Sequence, residues 1–181
     1  NTTADYEPEA VKRNSSTQLA VLPCPWRDHK VTVIDTPGYF DFLGDGVSAL
    51  RVADAAILVL AASAGVEVGT EQMWNRVREL GLPCFIFVNK LDRENTDFLQ
   101  IADSLRESIG KECVPLQVPL GTAQGFKGAL NILPTPPEVP DEVQDQMKKA
   151  RERLVEAVAE TDDHLATKYL EGEVLSDEEI V

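Results

Sequence analysis

The sequence has few of the side chains that hold transition metals or form disulfides. It contains three cysteines and two histidines. Cys24, Cys84 and Cys113 form no C-x-x-C pair, and neither His29 nor His164 belongs to a recognisable metal-ligand motif. We therefore expect reduced, buried thiols and histidines that are structural or solvated.

Basic residues are also scarce, with 17 Lys and Arg against 31 Asp and Glu and a net charge of −14. Residues 138–181 alone hold 14 acids and 5 bases. Because nucleic-acid affinity comes largely from Lys and Arg, we expect no direct nucleic-acid binding by this chain. The acidic segment is either a solvated helix face or a docking face for a basic or helical partner. No apolar run approaches the roughly 18 residues of a membrane span, so no membrane association is expected.

Two short strings follow runs that predict buried strands. D-T-P-G, at residues 35–38, follows the run 31–34, and N-K-L-D, at residues 89–92, follows the run 84–88. Ligands of open parallel α/β sheets bind beyond the carboxyl ends of the strands, so we expect both strings to face one ligand. By chance D-x-x-G occurs at about 1 position in 300 and N-K-x-D at about 1 in 10,000. Together they predict a guanine-nucleotide site.

The residue types suit that chemistry. Asp92 can accept hydrogen bonds from the ring N–H and the amine of guanine, whereas adenine offers the reverse pattern. Asn89 supplies a donor and acceptors, and the stem of Lys90 can lie along the ring face. Asp35 is a hard oxygen ligand suited to Mg²⁺. Gly38 lets its backbone N–H approach a terminal phosphate.

The remaining pattern predicts alternating strands and helices. Residues 18–22 and 31–34 indicate an antiparallel hairpin, and residues 55–61, 84–88 and 114–118 indicate further strands. Thr70 is a candidate N-cap for a helix that ends near Gly81, and apolar spacing predicts another helix over residues 98–109.

Beyond residue 133 the pattern becomes proline-rich and then helical. Residues 134–140 hold four prolines and suggest a linker. An apolar stripe at helical spacing follows, made of Val143, Met147, Ala150, Leu154 and Val158. A second helix should start at Asp162 and end near Gly172. Residues 176–179 form a capping-box pattern.

These segments resemble the translational GTPases, and within them the elongation factor G branch. The likeness lies in VTVIDTPGYFDF, ALRVADAAILVLAASAGVEVGTEQMW and LGLPCFIFVNKLDR, between residues 31 and 93. DYEPE followed by Arg13 resembles the effector loop of the family, and VPLQVPLG, GFKGAL and ARERLVEAVAETDDHLATKYLEGE resemble later segments. The resemblance implies an α/β fold with the mostly parallel sheet of a P-loop GTPase, flanked by helices and incomplete here, with an acidic helical extension.

It also implies a domain organisation. Residues 1–133 would be a partial GTP-binding domain, residues 134–140 a linker, and residues 141–181 an acidic helical segment of the same domain.

The site residues follow from the family motifs. The implied nucleotide-binding residues are Asp35, Thr36, Pro37, Gly38, Tyr39, Asn89, Lys90, Leu91 and Asp92. Ser16 aligns with the magnesium-binding threonine of the effector loop and would bind Mg²⁺ with Asp35, although Ser15 and Thr17 flank it. Gly38 and Tyr39 are the catalytic candidates. Tyr39 stands where elongation factor G has a water-positioning histidine, and a phenol can donate a hydrogen bond but lacks the acid–base behaviour of imidazole near neutral pH.

One part of a guanine-nucleotide site is missing. No phosphate cradle of the form G-x-x-x-x-G-K-[ST] occurs in the 181 residues. The guanine-contacting S-A-x string of the family is missing as well. We therefore expect a piece of a longer protein that is inactive by itself.

Three functions are compatible with these observations. The first is a cytoplasmic translation elongation factor that binds GTP or GDP with Mg²⁺ and hydrolyses GTP on the ribosome. The second is a paralogous ribosome-associated GTP switch in which Tyr39 attenuates hydrolysis. The third is a protein-interaction module that binds no nucleotide.

Overall fold

Helices and strands alternate along the chain in the computed structural model, which describes residues 3–180. These residues form two compact units. The first contains residues up to 59 together with 67–87, and the second contains residues 60–66 together with those from 88 onward. The α/β class predicted from the sequence is confirmed.

The first unit contains an antiparallel hairpin after a short helix. Helix α1 spans Pro8–Arg13, strand β1 spans Ala20–Trp26, and strand β2 spans His29–Asp35. The predicted hairpin is confirmed, and both strands are longer than the sequence indicated. They continue to a two-residue turn because Arg27 adopts a left-handed φ of 50°, the backbone that tight hairpin turns require.

Strand β1 carries prolines at positions 23 and 25. The pairing with β2 is uninterrupted from Ala20 to Trp26, so the N–H groups directed at β2 must come from the alternate residues. Pro23 and Pro25 therefore turn their nitrogens to the outer edge of β1. That edge lacks an N–H donor at both positions.

Strands β3 (Ala56–Ala61) and β4 (Cys84–Asn89) form a parallel pair. The Ala56 N–H donates to the Pro83 carbonyl at 2.9 Å, and the Ala62 N–H donates to the Asn89 carbonyl at 2.8 Å. The bonded partners advance in the same direction along both strands, as in a parallel ladder. The strands predicted over residues 55–61 and 84–88 are confirmed. The prediction that the runs 31–34 and 84–88 are buried is wrong, because their side chains are half-buried or exposed.

Helices α2 (Leu43–Leu50) and α3 (Val68–Glu79) belong to the first unit. Its small core is formed by Leu50, Ala56 and Val77, with Met73, Trp74, Leu82 and Cys84 packed around them. Apolar side chains elsewhere on the strand pair are exposed, namely Ile57, Val59, Phe85 and Phe87. The prediction that Thr70 caps α3 is wrong. The helical bonding already begins with the Glu71 N–H donating to the Glu67 carbonyl, which places Thr70 inside the first turn.

The second unit contains three longer helices and a second hairpin. Its elements are α4 (Phe98–Ser108), β5 (Gln117–Leu120), β6 (Gly128–Asn131), α5 (Gln144–Ala159), α6 (Asp163–Leu170) and α7 (Asp177–Ile180). The strand predicted over residues 114–118 is shifted toward the C-terminus. Strand β6, which pairs antiparallel with β5, was not predicted because its glycine and the preceding lysine are weak strand formers.

The core of the second unit confirms the predicted helical stripe. Val143, Met147, Ala150 and Leu154 are buried, and Val158 packs against them. Residues 132–140 form neither helix nor strand, but Ile132 is fully buried in the same core. No helix within residues 3–180 has the length and apolar content needed to cross a membrane.

Side-chain caps begin the last two helices, as the sequence predicted. Asp162 accepts hydrogen bonds from the His164 and Leu165 N–H groups at the start of α6. At α7 the Ser176 N–H donates to the Glu179 carboxylate at 2.9 Å, and the Glu179 N–H donates to Ser176 Oγ at 3.3 Å. This reciprocal pair is a capping box.

Glu179 makes this end of the second unit sensitive to acid. Hydrogen bonds from the Lys168 ammonium and from Ser176 lower the pKa of its carboxyl from 4.5 to about 2. A carboxyl whose pKa is depressed on folding stabilises the fold above its unfolded pKa, and the contribution disappears as the pH falls through the folded pKa. We expect Glu179→Gln to lower the thermal midpoint at pH 6 and to make little difference near pH 2.

Thermal unfolding of the wild type and the variant between pH 7 and 2 measures this difference. Glu178→Gln is the matched control, because Glu178 lies on the same short helix and is exposed. A constant gap between the wild type and Glu179→Gln at every pH would contradict the assignment.

Candidate nucleotide-binding site

A hydroxyl and two carboxylates meet in the first unit. Ser16 Oγ lies 2.8 Å from Asp5 Oδ1 and 3.4 Å from Asp35 Oδ2. The Ser16 hydroxyl has a single proton, which the two carboxylates share, and the shorter contact is the one to Asp5. Of the hydroxyls at residues 15–17, Ser16 is the one for which the structure gives a hydrogen bond to Asp35.

This cluster consists of oxygen donors, the ligands that Mg²⁺ prefers. Within residues 3–180 no group of three or more His, Cys, Asp or Glu side chains is arranged to hold a metal ion. A Mg²⁺ ion usually keeps several waters and takes one or two protein carboxylates, so two protein ligands fit it. Asp35 and Ser16 therefore suit a magnesium ion that is completed by water and phosphate oxygens.

The D-T-P-G string leaves the end of β2. Asp35 is the last residue of the strand, and Pro37 is buried, which anchors the turn. A Cβ atom built on Gly38 would meet no other protein atom within 4 Å. Packing within the described chain therefore does not require a glycine there.

Tyr39 follows Gly38 and is 63% exposed. Its carbonyl accepts a hydrogen bond from the Phe42 N–H at 3.0 Å, at the start of a short 3-10 helix over Phe40–Phe42. The backbone is thereby fixed, while the phenol is accessible from solvent.

The N-K-L-D string occupies the end of β4 and the loop that follows, in the second unit. The Asn89 carbonyl accepts the N–H of Ala62 at 2.8 Å, and its side-chain Oδ1 accepts the N–H of Lys90 at 2.8 Å. Lys90 has a φ of 63°, a left-handed conformation that non-glycine residues rarely adopt. The chain therefore turns sharply at the strand end and carries Asp92 to an exposed position.

Two further residues contact this loop, and sequence reasoning missed both. The Leu91 carbonyl accepts the Ala123 N–H at 3.2 Å and the Thr96 hydroxyl at 3.2 Å. Neither residue belongs to a nucleotide-binding motif. The available sequence signal was the glycine pair at 121 and 125, which indicates a tight turn after β5.

Neighbouring titratable groups show local shifts. A hydrogen bond from the guanidinium to Glu9, at 2.6 Å, raises the pKa of Arg13 at the end of α1. Burial raises the pKa of the Cys84 thiol at the start of β4. The expectation of buried thiols is wrong for Cys24, which is exposed on the outer part of the hairpin, and Cys84 and Cys113 are partly buried.

Known proteins are similar to this chain in sequence and in fold. The family model of the elongation factor Tu GTP binding domain matches residues 1–173. Elongation factor G of Thermotoga petrophila is 34% identical, over 99% of this chain and 28% of that protein, and elongation factor G of Thermotoga maritima is 33% identical with the same coverage. The crystal structure of ttk003000868 from Thermus thermophilus matches with a TM-score of 0.86 and 35% identity, over 99% of this chain and 29% of that one.

The chain therefore spans little more than a quarter of the length of these relatives, at 28% and 29%. Nearly all of its own residues take part in each match. The predicted resemblance to translational GTPases of the elongation factor G type is confirmed, and the chain belongs to the elongation factor Tu GTP-binding domain family.

Proposed function

We propose that this chain forms part of a translation factor that binds GTP with Mg²⁺ and hydrolyses it on the ribosome. One observation carries the proposal: D-T-P-G leaves the end of β2 and N-K-L-D leaves the end of β4, in a chain of this family. Strand ends are where α/β folds bind their ligands.

The residues around D-T-P-G would serve the phosphates and the metal. Asp35 and Ser16, whose oxygens lie 3.4 Å apart, would hold Mg²⁺, which neutralises charge on the phosphate oxygens. Gly38 would present its N–H to the terminal phosphate, and Thr36 and Pro37 would set the turn that aims it. The open space at the Cβ position of Gly38 supports this role, because packing gives no other reason for a glycine.

The N-K-L-D loop would select the base. Asp92 would accept two hydrogen bonds from guanine, Lys90 would cover one face of the ring, and Asn89 would hold the loop through its own Oδ1. Leu91 separates Lys90 from Asp92 and would set their spacing. The left-handed backbone of Lys90 supports this assignment, since strained conformations concentrate at ligand-binding sites.

Hydrolysis requires that a water molecule attack the terminal phosphoryl group in line with the leaving oxygen. The exposed phenol of Tyr39 would order that water by a hydrogen bond. A phenol is in general a poorer general base than an imidazole at neutral pH. This difference supports the second candidate, a ribosome-associated switch with attenuated turnover. The third candidate, an interaction module without nucleotide, is supported only by the missing phosphate cradle.

The partner would be the ribosome, in the cytoplasm, reached through the full-length protein. The net charge of −14 argues against direct contact between this chain and ribosomal RNA.

Turnover of GTP by the full-length protein, with and without ribosomes, tests the proposal. We expect ribosome-stimulated hydrolysis in the wild type. Tyr39→His should raise the stimulated rate by about tenfold or more, within the range that a positioned acid–base group contributes. Nucleotide affinity should not change, because the phenol would contact the water rather than the nucleotide.

Tyr169→His is the matched control, since Tyr169 is also exposed but lies on α6 of the second unit. Absence of any ribosome-stimulated hydrolysis in both the wild type and Tyr39→His would contradict the first candidate. Unchanged or lower turnover in Tyr39→His alone would mean that the phenol already does the work of a histidine, and would exclude the attenuated switch.

A further inference from the structure

The carbonyl of Leu91 is held by donors from two separate segments. The Thr96 hydroxyl reaches it from five residues downstream at 3.2 Å, and the Ala123 N–H reaches it from the turn after β5, also at 3.2 Å. Thr96 Oγ1 lies 2.9 Å from the Arg93 carbonyl as well. One hydroxyl thus bridges the carbonyls on either side of Asp92.

The turn that supplies Ala123 is itself rigid. Gly121 has a φ of 79°, and a Cβ atom there would lie 2.1 Å from the Gly125 carbonyl oxygen. The Gly125 N–H donates to the Thr122 carbonyl at 2.8 Å, and the Lys127 N–H donates to the Leu120 carbonyl at 2.8 Å. Ala123 has a φ of 47°, which a flexible turn would relax.

We propose that Thr96 and the turn 121–125 are positioning elements for base recognition. This inference rests on the proposed function, because it assumes that Asp92 contacts guanine. The Leu91 carbonyl belongs to the peptide that joins Leu91 to Asp92, so a rotation of that peptide redirects the Asp92 side chain. The Thr96 hydroxyl and the Ala123 N–H, which both donate to this carbonyl, resist the rotation. The Asp92 carboxylate is therefore preorganised for guanine, which reduces the entropy that is lost on binding.

The bridge also explains how the left-handed Lys90 is kept. A residue at a φ of 63° tends to relax unless its surroundings hold it. On one side Lys90 is fixed by the bond from its own N–H to Asn89 Oδ1. On the other side the peptide that follows Lys90 is held by its own carbonyl, which accepts the Arg93 N–H at 3.1 Å. Thr96 supports Arg93 in turn, since its hydroxyl lies 2.9 Å from the Arg93 carbonyl.

The test removes the Thr96 hydroxyl with little change of shape. Thr96→Val removes the hydroxyl donor that the two carbonyls share and keeps the branched side chain, whereas Thr96→Ser keeps the hydroxyl. Thr161→Val is the matched control, because the Thr161 hydroxyl is exposed and donates to a carbonyl three residues earlier, at Val158. Thr96→Ala gives the same test if valine is not accommodated.

The first measurement is amide hydrogen exchange in the full-length protein without nucleotide. We expect the Ala123 amide of Thr96→Val to exchange at least about threefold faster than in the wild type, since its acceptor carbonyl is less restrained. Thr96→Ser and Thr161→Val should match the wild type at this amide. Unchanged exchange of the Ala123 amide in Thr96→Val would overturn the proposal that Thr96 restrains the Leu91 carbonyl.

The second measurement is calorimetric affinity for GDP and for ADP. Loss of the hydroxyl donor that the Leu91 and Arg93 carbonyls share should weaken GDP binding by Thr96→Val about fivefold to tenfold and leave weak ADP binding unchanged. Thr96→Ser should restore GDP affinity, which a general loss of stability would not permit. If the wild type binds GDP and Thr96→Val binds it equally well, this inference alone is wrong. If the wild type binds no GDP, the proposed function is wrong, and the role of Thr96 and the turn 121–125 in base recognition is wrong with it.

Discussion

Replacement of Asp92 by asparagine in the full-length protein is expected to move its base preference from guanine to xanthine nucleotides by at least about a hundredfold. In the proposed site the Asp92 carboxylate would accept hydrogen bonds from the ring N–H and the amine of guanine. Xanthine has a carbonyl in place of that amine, so the carboxylate would face an oxygen. The asparagine amide can donate to that carbonyl and accept from the ring N–H. Calorimetry with GDP, xanthosine diphosphate (XDP) and ADP on the wild type and the variant measures this change in base preference.

Asp97→Asn provides the matched control for this experiment. Asp97 caps α4 by accepting the Leu99 and Gln100 N–H groups, and asparagine is an equally good helix N-cap. The same chemical change five residues from Asp92 should therefore leave base preference unaltered. Equal affinity of the wild type for GDP and ADP would show that Asp92 does not read the base.

The second large effect concerns the 181 residues by themselves. We expect them to bind GTP at least about a hundredfold more weakly than the full-length protein, because no phosphate cradle occurs in this sequence. The cradle supplies a lysine and backbone N–H groups, and hydrogen bonds to charged groups contribute about 1.5–3 kcal/mol each. Two such losses already account for the difference. Equilibrium dialysis with labelled GTP on both proteins measures it.

A folded sample is the necessary control for that comparison. Cooperative thermal unfolding of the 181-residue chain would show that weak binding does not come from an unfolded state. Micromolar affinity for GTP in a chain of this sequence would mean that other residues replace the cradle, and our account of the phosphate site would be wrong.

The sequence predicted those elements whose local pattern and tertiary environment agree. The strands β3 and β4 were predicted because each has a continuous apolar run, which is typical of a strand covered on both faces. The strands are present, but Ile57 and Phe85 on them are exposed. The stripe on α5 was visible because its period matches the helix. The caps at Asp162 and Ser176 were visible because those side chains bond within the next three residues.

Other features depend on contacts between distant parts of the chain. β6 is a strand because the antiparallel partner β5 lies beside it, and its own sequence has no strong preference for that structure. Ala123 meets Leu91 only after the chain has returned through α4 and β5. Thr70 resembled an N-cap, but α3 begins before it, at Val68, because Val68 and Gly69 also accept helical backbone angles. No local pattern encodes such outcomes.

The two prolines of β1 limit how the hairpin can associate with copies of itself. Open strand edges polymerise when each added copy presents a fresh edge to the next. Within residues 3–180, β2 pairs only with β1, and its sequence contains no proline, so a second hairpin can join at β2. Both outer edges of the resulting four strands would then be β1 edges, where Pro23 and Pro25 offer no donor. Strand addition would therefore stop at two hairpins, and the prolines would oppose the formation of fibres.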